Sequence, residues 1–251
     1  MEEQFPYSEQ MPVAFISLGP GDYAQLTLEA YDLLHKIDRI FCFGTSCDGR
    51  NNSYAMDTVL AADKALEQRM EVIKLPMQAD RIEAMQVYVD LADKIATEYG
   101  KGKNVGVCVE GSSSVYASVR TVMDLLDKRN IRWMEISGVP SFIAAAALAG
   151  ISLCNGNERL LIVPGDITAD EITGRLDEGY NLLIMKLSRC ADEVRRAVKE
   201  HAADCEIHYF ENISCGNQVY LNNAEDIWKV SRFPYFSQLI IKRIGKRKAC
   251  Q

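Results

Sequence analysis

The sequence predicts an α/β protein of two domains, residues 1–130 forming the first and 131–251 the second. Three observations predict it. Apolar runs of strand length alternate with stretches whose apolar residues recur at helical spacing. Three of those runs end in loops of small residues, and beyond Gly150 the pattern shifts to shorter alternating runs with more strands per helix. The 251 residues are 48% apolar and 25% charged, a balance that supports a true core.

Residues 12–18 (PVAFISL) are apolar without helical period and end in Gly19-Pro20-Gly21-Asp22, a strand followed by a turn. Apolar positions at 26, 30, 33, 34 and 37 then mark an amphipathic helix that Thr27 can cap. Residues 39–43 (RIFCF) read as a second buried strand, completing a β-α-β unit with parallel pairing. A mostly helical middle follows, at 56–69 and 81–99. Val105–Val109 is a strand, residues 110–114 (EGSSS) a loop, and Val115, Val119, Val122 and Leu126 one face of a helix. Trp133–Ile136 enters Ser137-Gly138-Val139-Pro140-Ser141, which opens an alanine-rich helix. The three loops are expected at one sheet edge. Further strands are expected at 159–163, 180–186, 206–210 and 236–242, with one helix at 191–201.

Charge excludes some functions. Lys and Arg total 28 against 35 Asp and Glu, a net charge of −7, and a surface of that sign repels a nucleic-acid backbone. The basic run Lys242, Arg243, Lys246, Arg247, Lys248 reads as a solvated tail. The eight cysteines (42, 47, 108, 154, 190, 205, 215, 250) contain no CxxC pair, and His35, His201 and His208 make no HxxxH or HExxH pattern, so no metal site is expected. His35 reads as a surface residue. The opening MEEQFPYSEQ is acidic and polar, unlike a secretory signal, so reduced thiols and a cytoplasmic location are expected. The longest apolar run, 142–154, is too short to span a bilayer.

A strand leading through a small-residue loop into a helix sets free backbone N–H groups and the positive helix end beside a ligand. The spacing here is neither GxGxxG nor GxxxxGK[ST], which disfavours dinucleotides and triphosphates. A nicotinamide-dependent oxidoreductase is further disfavoured because Phe43 and Gly44, not an acid, end the second strand.

The stretches LGPGDYAQLTLEAYDLL (18–34), GSSSVYAS (111–118), SGVPSFIAAAALAGISL (137–153), LLIMK (182–186) and PYFSQLIIKR (234–243) resemble the tetrapyrrole (corrin/porphyrin) methylases over nearly the whole chain. The first and last stretches are most similar to the precorrin-2 C(20)-methyltransferase branch, whose anaerobic counterpart acts on cobalt-factor II. The resemblance implies two α/β domains, each with a mixed sheet, with S-adenosyl-L-methionine folded into the cleft between them and S-adenosyl-L-homocysteine released. It implies methylation of C-20 of precorrin-2 or cobalt-factor II in cobalamin biosynthesis. By motif position Pro20, Gly111, Ser112, Val115, Tyr116, Pro140, Ser141 and Met185 are implied to meet the cofactor. It suggests a homodimer and an anionic tetrapyrrole partner, with no nucleic acid and no membrane. It identifies no catalytic base.

Two departures stand out. The family's Gly-Asp-Pro appears as Gly111-Ser112-Ser113, so a carboxylate acceptor is replaced by a weaker hydroxyl, with Glu110 one residue away as the nearest substitute. Its Pro-Gly-Val-Ser-Ser appears as Ser137-Gly138-Val139-Pro140-Ser141, which changes which N–H groups are free. They motivate an alternative, a catalytically weakened tetrapyrrole- or cofactor-binding module of the same fold. A many-carboxylate substrate calls for local cations in this acidic chain, with Arg50, Arg81, Arg120, Lys186 and Arg189 the candidates by proximity to loops.

Overall fold

The computed structural model describes residues 10–47, 50–75 and 81–244. The chain forms two compact units, Met1–Ser141 and Phe142–Gln251. The first extends past the boundary expected at 130, because the strand at 133–136 pairs with the first strand of the chain instead of founding a new sheet.

Unit 1 runs β1 (Val13–Ser17), α1 (Leu28–Leu34), β2 (Arg39–Cys47), β3 (Arg50–Asn52), α2 (Tyr54–Ala62), β4 (Met70–Leu75), α3 (Arg81–Gly100), β5 (Val105–Val109), α4 (Arg120–Asp127) and β6 (Trp133–Ile136). The sheet order is β3-β2-β5-β1-β6, with β4 against β2. All pairs are parallel except β2 with β3, so the sheet is mixed. The expected β-α-β unit forms, but β5 lies between its two strands. The expected helix at 56–69 is divided: Asp63 adopts extended backbone and caps a separate 3-10 segment, Lys64–Arg69, and β4 follows.

Alternation decides the layers. Val13, Phe15, Phe41, Val105 and Val107 pack with Leu91, Ile95, Val122 and Leu126 of α3 and α4. Ala14, Ile16, Ile40, Cys42 and Cys108 face the other way, onto Ala30 and Leu34 of α1 and Val59 of α2. Every residue of β1 and β5 is buried, the mark of parallel strands covered on both faces. Thr27 accepts from the Ala30 N–H at 3.1 Å and starts α1 as expected.

Unit 2 contains α5 (Ser141–Ala149), β7 (Arg159–Val163), α6 (Ala169–Asp177), β8 (Tyr180–Met185), α7 (Ala191–Glu200), β9 (Cys205–Glu211), β10 (Val219–Leu221), α8 (Ala224–Trp228) and β11 (Ser237–Arg243). Its order is β10-β9-β11-β8-β7, parallel only between β7 and β8. One face carries Leu182, Ile184, Ile207, Tyr209, Leu239 and Ile241 onto Ile172, Leu176, Val194 and Val198 of α6 and α7.

Two basic residues expected in a solvated tail belong to this sheet. Lys242 is buried, its ammonium bonded to the Ser152 carbonyl and 3.9 Å from Glu158, and Arg243 pairs with Asp177 and Asp204. Their place in a central strand explains the difference; Lys246, Arg247 and Lys248 lie outside the described residues. Among the described residues no helix is long and apolar enough to cross a membrane.

Phe15 is fully buried and stands edge-on to Trp133 with ring centroids 6.1 Å apart. Phe15→Ala is expected to destabilise unit 1 by about 3–5 kcal/mol, read from urea unfolding.

Candidate functional site

In unit 1 the chain leaves β1 on the face of α1 to reach β2, and leaves β5 on the face of α4 to reach β6. Those crossovers run in opposite directions across the sheet order, so the strand ends of β1 and β5 flank a topological switch point. In open sheets of this kind ligands usually sit at such a point, beyond the carboxyl ends of the strands, where the connections depart to opposite faces. Parallel pairing of β5, β1 and β6 brings the loops after all three to that edge, as expected.

The loops are joined. The Gly19 N–H donates to the Gly111 carbonyl at 3.1 Å, and the Gly111 N–H donates back at 2.7 Å. The third loop presses against them: a Cβ on Gly138 would stand 2.6 Å from the Ser17 Cβ and 2.9 Å from the Gly111 carbonyl oxygen, so only glycine fits without displacing backbone. Thr27 reaches the same loop, its hydroxyl 3.5 Å from the Ser137 carbonyl.

A buried hydroxyl pair fixes the second loop. Ser113 donates its N–H to the Ser17 Oγ at 3.0 Å, the two hydroxyls lie 2.8 Å apart, and the Ser113 hydroxyl also bonds the Glu135 carboxylate. Glu135 takes a second bond from the Ser114 hydroxyl at 2.9 Å. Proline at position 113 would have no N–H for Ser17, so this departure from the family motif is matched by a partner on β1. Ser17 and Glu135 were missed by sequence reasoning; Ser17 had a signal, as the one hydroxyl in an otherwise apolar strand.

Pro20, Gly111, Ser112, Val115, Tyr116, Pro140 and Ser141 all lie in these loops or at their margins. Gly111 and Ser112 are half-buried, and a Cβ on Gly111 would meet open space, while the Gly111 backbone groups themselves are paired with Gly19. The Ser112 hydroxyl is turned onto the Ser114 N–H at 3.4 Å, a weak contact. Tyr116 sits at φ 49° with 45% of its surface exposed, an aromatic held in left-handed backbone at the rim. That conformation explains why α4 begins at Arg120 and leaves Val115 outside the helix.

Met185 ends β8 in unit 2, where the close approach of Gly165 orders the backbone: a Cβ on Gly165 would stand 2.8 Å from the Met185 carbonyl oxygen. Lys186 follows in left-handed backbone, its ammonium pushed below the usual lysine range by burial first and by Arg189 second. Arg189 pairs with Asp166 at 2.8 Å. Arg120 pairs with Asp124 at 3.1 Å and lies over the Trp133 ring. The side chains of Arg50 and Arg81 lie outside the described residues. His35 is a surface residue as expected, bonded to the Tyr31 carbonyl at 2.9 Å and to Asp63 at 3.0 Å.

The charge of the loop edge is one-sided. Residues 17–22, 110–116 and 135–141 contain Asp22, Glu110 and Glu135 and no Lys, Arg or His. Asp22 caps the turn after β1 through the Ala24 N–H at 2.9 Å. Glu110 does not take the place of the absent aspartate: its carboxylate accepts from the Ala55 N–H at 3.2 Å, in the first turn of α2. Burial pushes its carboxyl up to about 7, the Ala55 bond opposing and nearby Asp57 adding to the rise. A carboxyl raised in the folded state keeps a proton that the unfolded chain releases near 4.5, so stability falls as pH rises from about 4.5 to 7. Glu110→Gln is expected to remove that fall, gaining on the order of 2–3 kcal/mol over the parent at pH 8 and nothing at pH 4. Thermal midpoints against pH check this; parallel curves for the two proteins would refute it.

The family model for tetrapyrrole (corrin/porphyrin) methylases matches residues 12–227. The cobalamin biosynthesis protein CobIJ of Mycobacterium bovis is 27% identical over 240 residues, covering 93% of this chain and 46% of that protein, so the chain spans about half its length. The cobalt-precorrin-2 C(20)-methyltransferase of Salmonella typhimurium is 25% identical over 232 residues, covering 91% of this chain and 94% of the enzyme. Among solved structures, cobalt precorrin-4 methyltransferase CbiF superposes with a TM-score of 0.68 at 14% identity, over 95% of this chain and 98% of the other, which shows the shared fold. With the family match running from the first strand of unit 1 into the last helix of unit 2, the chain belongs to the tetrapyrrole (corrin/porphyrin) methylases.

Proposed function

We propose that this chain is an S-adenosyl-L-methionine-dependent methyltransferase of cobalamin biosynthesis that methylates C-20 of precorrin-2 or cobalt-factor II. The observation that carries the reading is the loop edge of unit 1 at the switch point, whose three segments contain Asp22, Glu135 and a near-neutral Glu110 and no Lys, Arg or His. These segments give a phosphorylated cofactor no cationic side chain, whereas a sulfonium favours the sign found here. The family match and the C(20)-methyltransferase relative support the reaction class and the position.

When bound, S-adenosyl-L-methionine supplies an electrophilic methyl group. The chain's part is to hold and orient. Gly111, its N–H and carbonyl spent on Gly19, offers a surface clear of side chains, Ser112 a hydroxyl, Val115 and Tyr116 apolar surface, and Pro20, Pro140 and Ser141 the flanking loops. Met185, in unit 2, enters the reading by its motif position. Fixing a donor and an electron-rich carbon in line can supply several kcal/mol and up to ~7–11 without any reactive side chain. The Gly19–Gly111 bonds and the Ser17–Ser113 pair give the loops the stiffness that such positioning needs.

Calorimetric titration with S-adenosyl-L-homocysteine is expected to give one site of micromolar affinity, and Ser112→Asp, which restores the family's carboxylate, to tighten it about tenfold. No heat at millimolar ligand for either protein would instead favour the weakened binding module, the reading that the turned-in Ser112 hydroxyl supports.

Incubation with labelled methyl donor and either precorrin-2 or cobalt-factor II is expected to place one methyl on C-20, located by mass spectrometry and NMR. A methyl at another carbon would overturn the regiochemistry and leave the reaction class standing.

A further inference from the structure

The turn that joins α7 to β9 brings together three metal-ligating side chains that the sequence pattern did not flag: the donor atoms of His201, Asp204 and Cys205 all lie within 4.8 Å of one another. The spacing His-x-x-Asp-Cys is unlike familiar zinc patterns, and the chain reverses to make it work. Both the Asp204 and Cys205 N–H groups donate to the His201 carbonyl, at 3.3 and 3.1 Å, which folds residues 201–205 into one tight loop.

Within the cluster the Cys205 thiol and the Asp204 carboxylate are hydrogen-bonded, while the pairing of His201 with Asp204 is looser. The His201 Nδ1 and the Asp204 Oδ1 stand 3.4 Å apart, beyond the usual 2.7–3.2 Å of an N–H···O bond. Two ligands at 2.0–2.1 Å from a tetrahedral zinc stand about 3.4 Å apart, so the two donors already have the separation that a shared ion imposes. The Cys205 sulfur lies within 4.8 Å of both, and the loop that carries these residues has exposed middle residues that can adjust to bring it onto an ion.

Each ligand has an outer partner of the right kind. The His201 Nε2 lies 2.9 Å from the Thr173 hydroxyl, which can accept its proton and leave the Nδ1 lone pair for a metal. The Asp204 Oδ2 is held by Arg243 at 3.0 Å, leaving Oδ1 toward the cluster, and Arg243 is balanced by Asp177. His201 and Cys205 are buried at 5% exposure while Asp204 is exposed. Cys205 also lines a surface cavity of ≈ 310 Å³ with Ala202 and Asn222.

We propose that His201, Asp204 and Cys205 form a mononuclear site for a borderline-soft divalent cation, zinc by the nitrogen, oxygen and sulfur donors it presents, with water in the fourth position. Binding replaces the thiol proton: the S–H bond breaks, an S–metal bond forms, and one proton leaves to solvent. Thiolate and carboxylate neutralise the dication.

The test uses the full chain and no methyl donor or tetrapyrrole, so its outcome is independent of the methyltransferase reading. Cobalt(II) is added to the metal-free protein and followed by absorbance. One equivalent is expected to give tetrahedral visible bands and a thiolate charge-transfer band, with release of one proton, and zinc to abolish both bands. Cys205→Ser is expected to lose the charge-transfer band, and Asp204→Asn, at an exposed position, to weaken cobalt binding about tenfold. X-ray absorption of the zinc-loaded parent protein, which needs no variant to fold, should count one sulfur in the shell. Absence of the bands at stoichiometric cobalt, their survival in Cys205→Ser, or a shell with no sulfur or with two would overturn the proposal.

Discussion

Two backbone hydrogen bonds between Gly19 and Gly111 tie together loops that the topology would otherwise send to opposite faces of the sheet. The switch point exists because the crossovers diverge there, and its loops stay close because those bonds hold them. Everything else at the edge follows from the closeness this produces. Gly138 has no room for a side chain, and Ser113 can reach Ser17 through both its N–H and its hydroxyl. A loop wired in this manner sacrifices little entropy when it receives a ligand, which is the useful property for a reaction that depends on alignment.

The same closeness reinterprets the departures from the family motif. A serine in the position of the motif's proline gains an N–H, and the structure gives that N–H a buried acceptor on β1. The two residues act as a pair, since a hydroxyl buried at the end of β1 without Ser113 would be a costly orphan. Ser112 has no comparable compensation, because its hydroxyl contacts only its own loop. Glu110 is committed to α2, where its carboxyl supports the first turn while burial keeps it near neutrality. The electrostatic character of the edge therefore comes from carboxylates around an uncharged backbone floor.

Unit 2 solves a different problem. Its sheet is largely antiparallel, and charged residues enter its central strand only where partners await them, as with Lys242 at the Ser152 carbonyl and Arg243 between Asp177 and Asp204. The last stretch carries two signals, since a run of cations suggests solvent while alternation with Leu239 and Ile241 suggests the strand expected at 236–242, and the strand prevailed through Arg243. The helix α6 was also passed over, although Thr168 and Glu171 form a capping box whose spacing is visible in the chain.

What the sequence determined by itself is what local chemistry controls. The apolar runs of β1, β2, β5 and β6, the capped stripe of α1 and the small-residue loops were legible because strand burial, helical period and turn chemistry each act over a few residues. Tertiary structure decided the rest. Whether β6 belongs to the first sheet, and that β5 separates β1 from β2, depend on pairings between residues about a hundred positions apart. Among the described residues β4 pairs with β2 alone and buries just Ile73, so its pattern was too faint to separate from the helix before it. The buried Ser17–Ser113 pair, the commitment of Glu110 to α2 and the convergence of His201, Asp204 and Cys205 arise where side chains meet in space. No periodicity along a chain records such meetings, because distance through the fold and distance along the sequence are independent there.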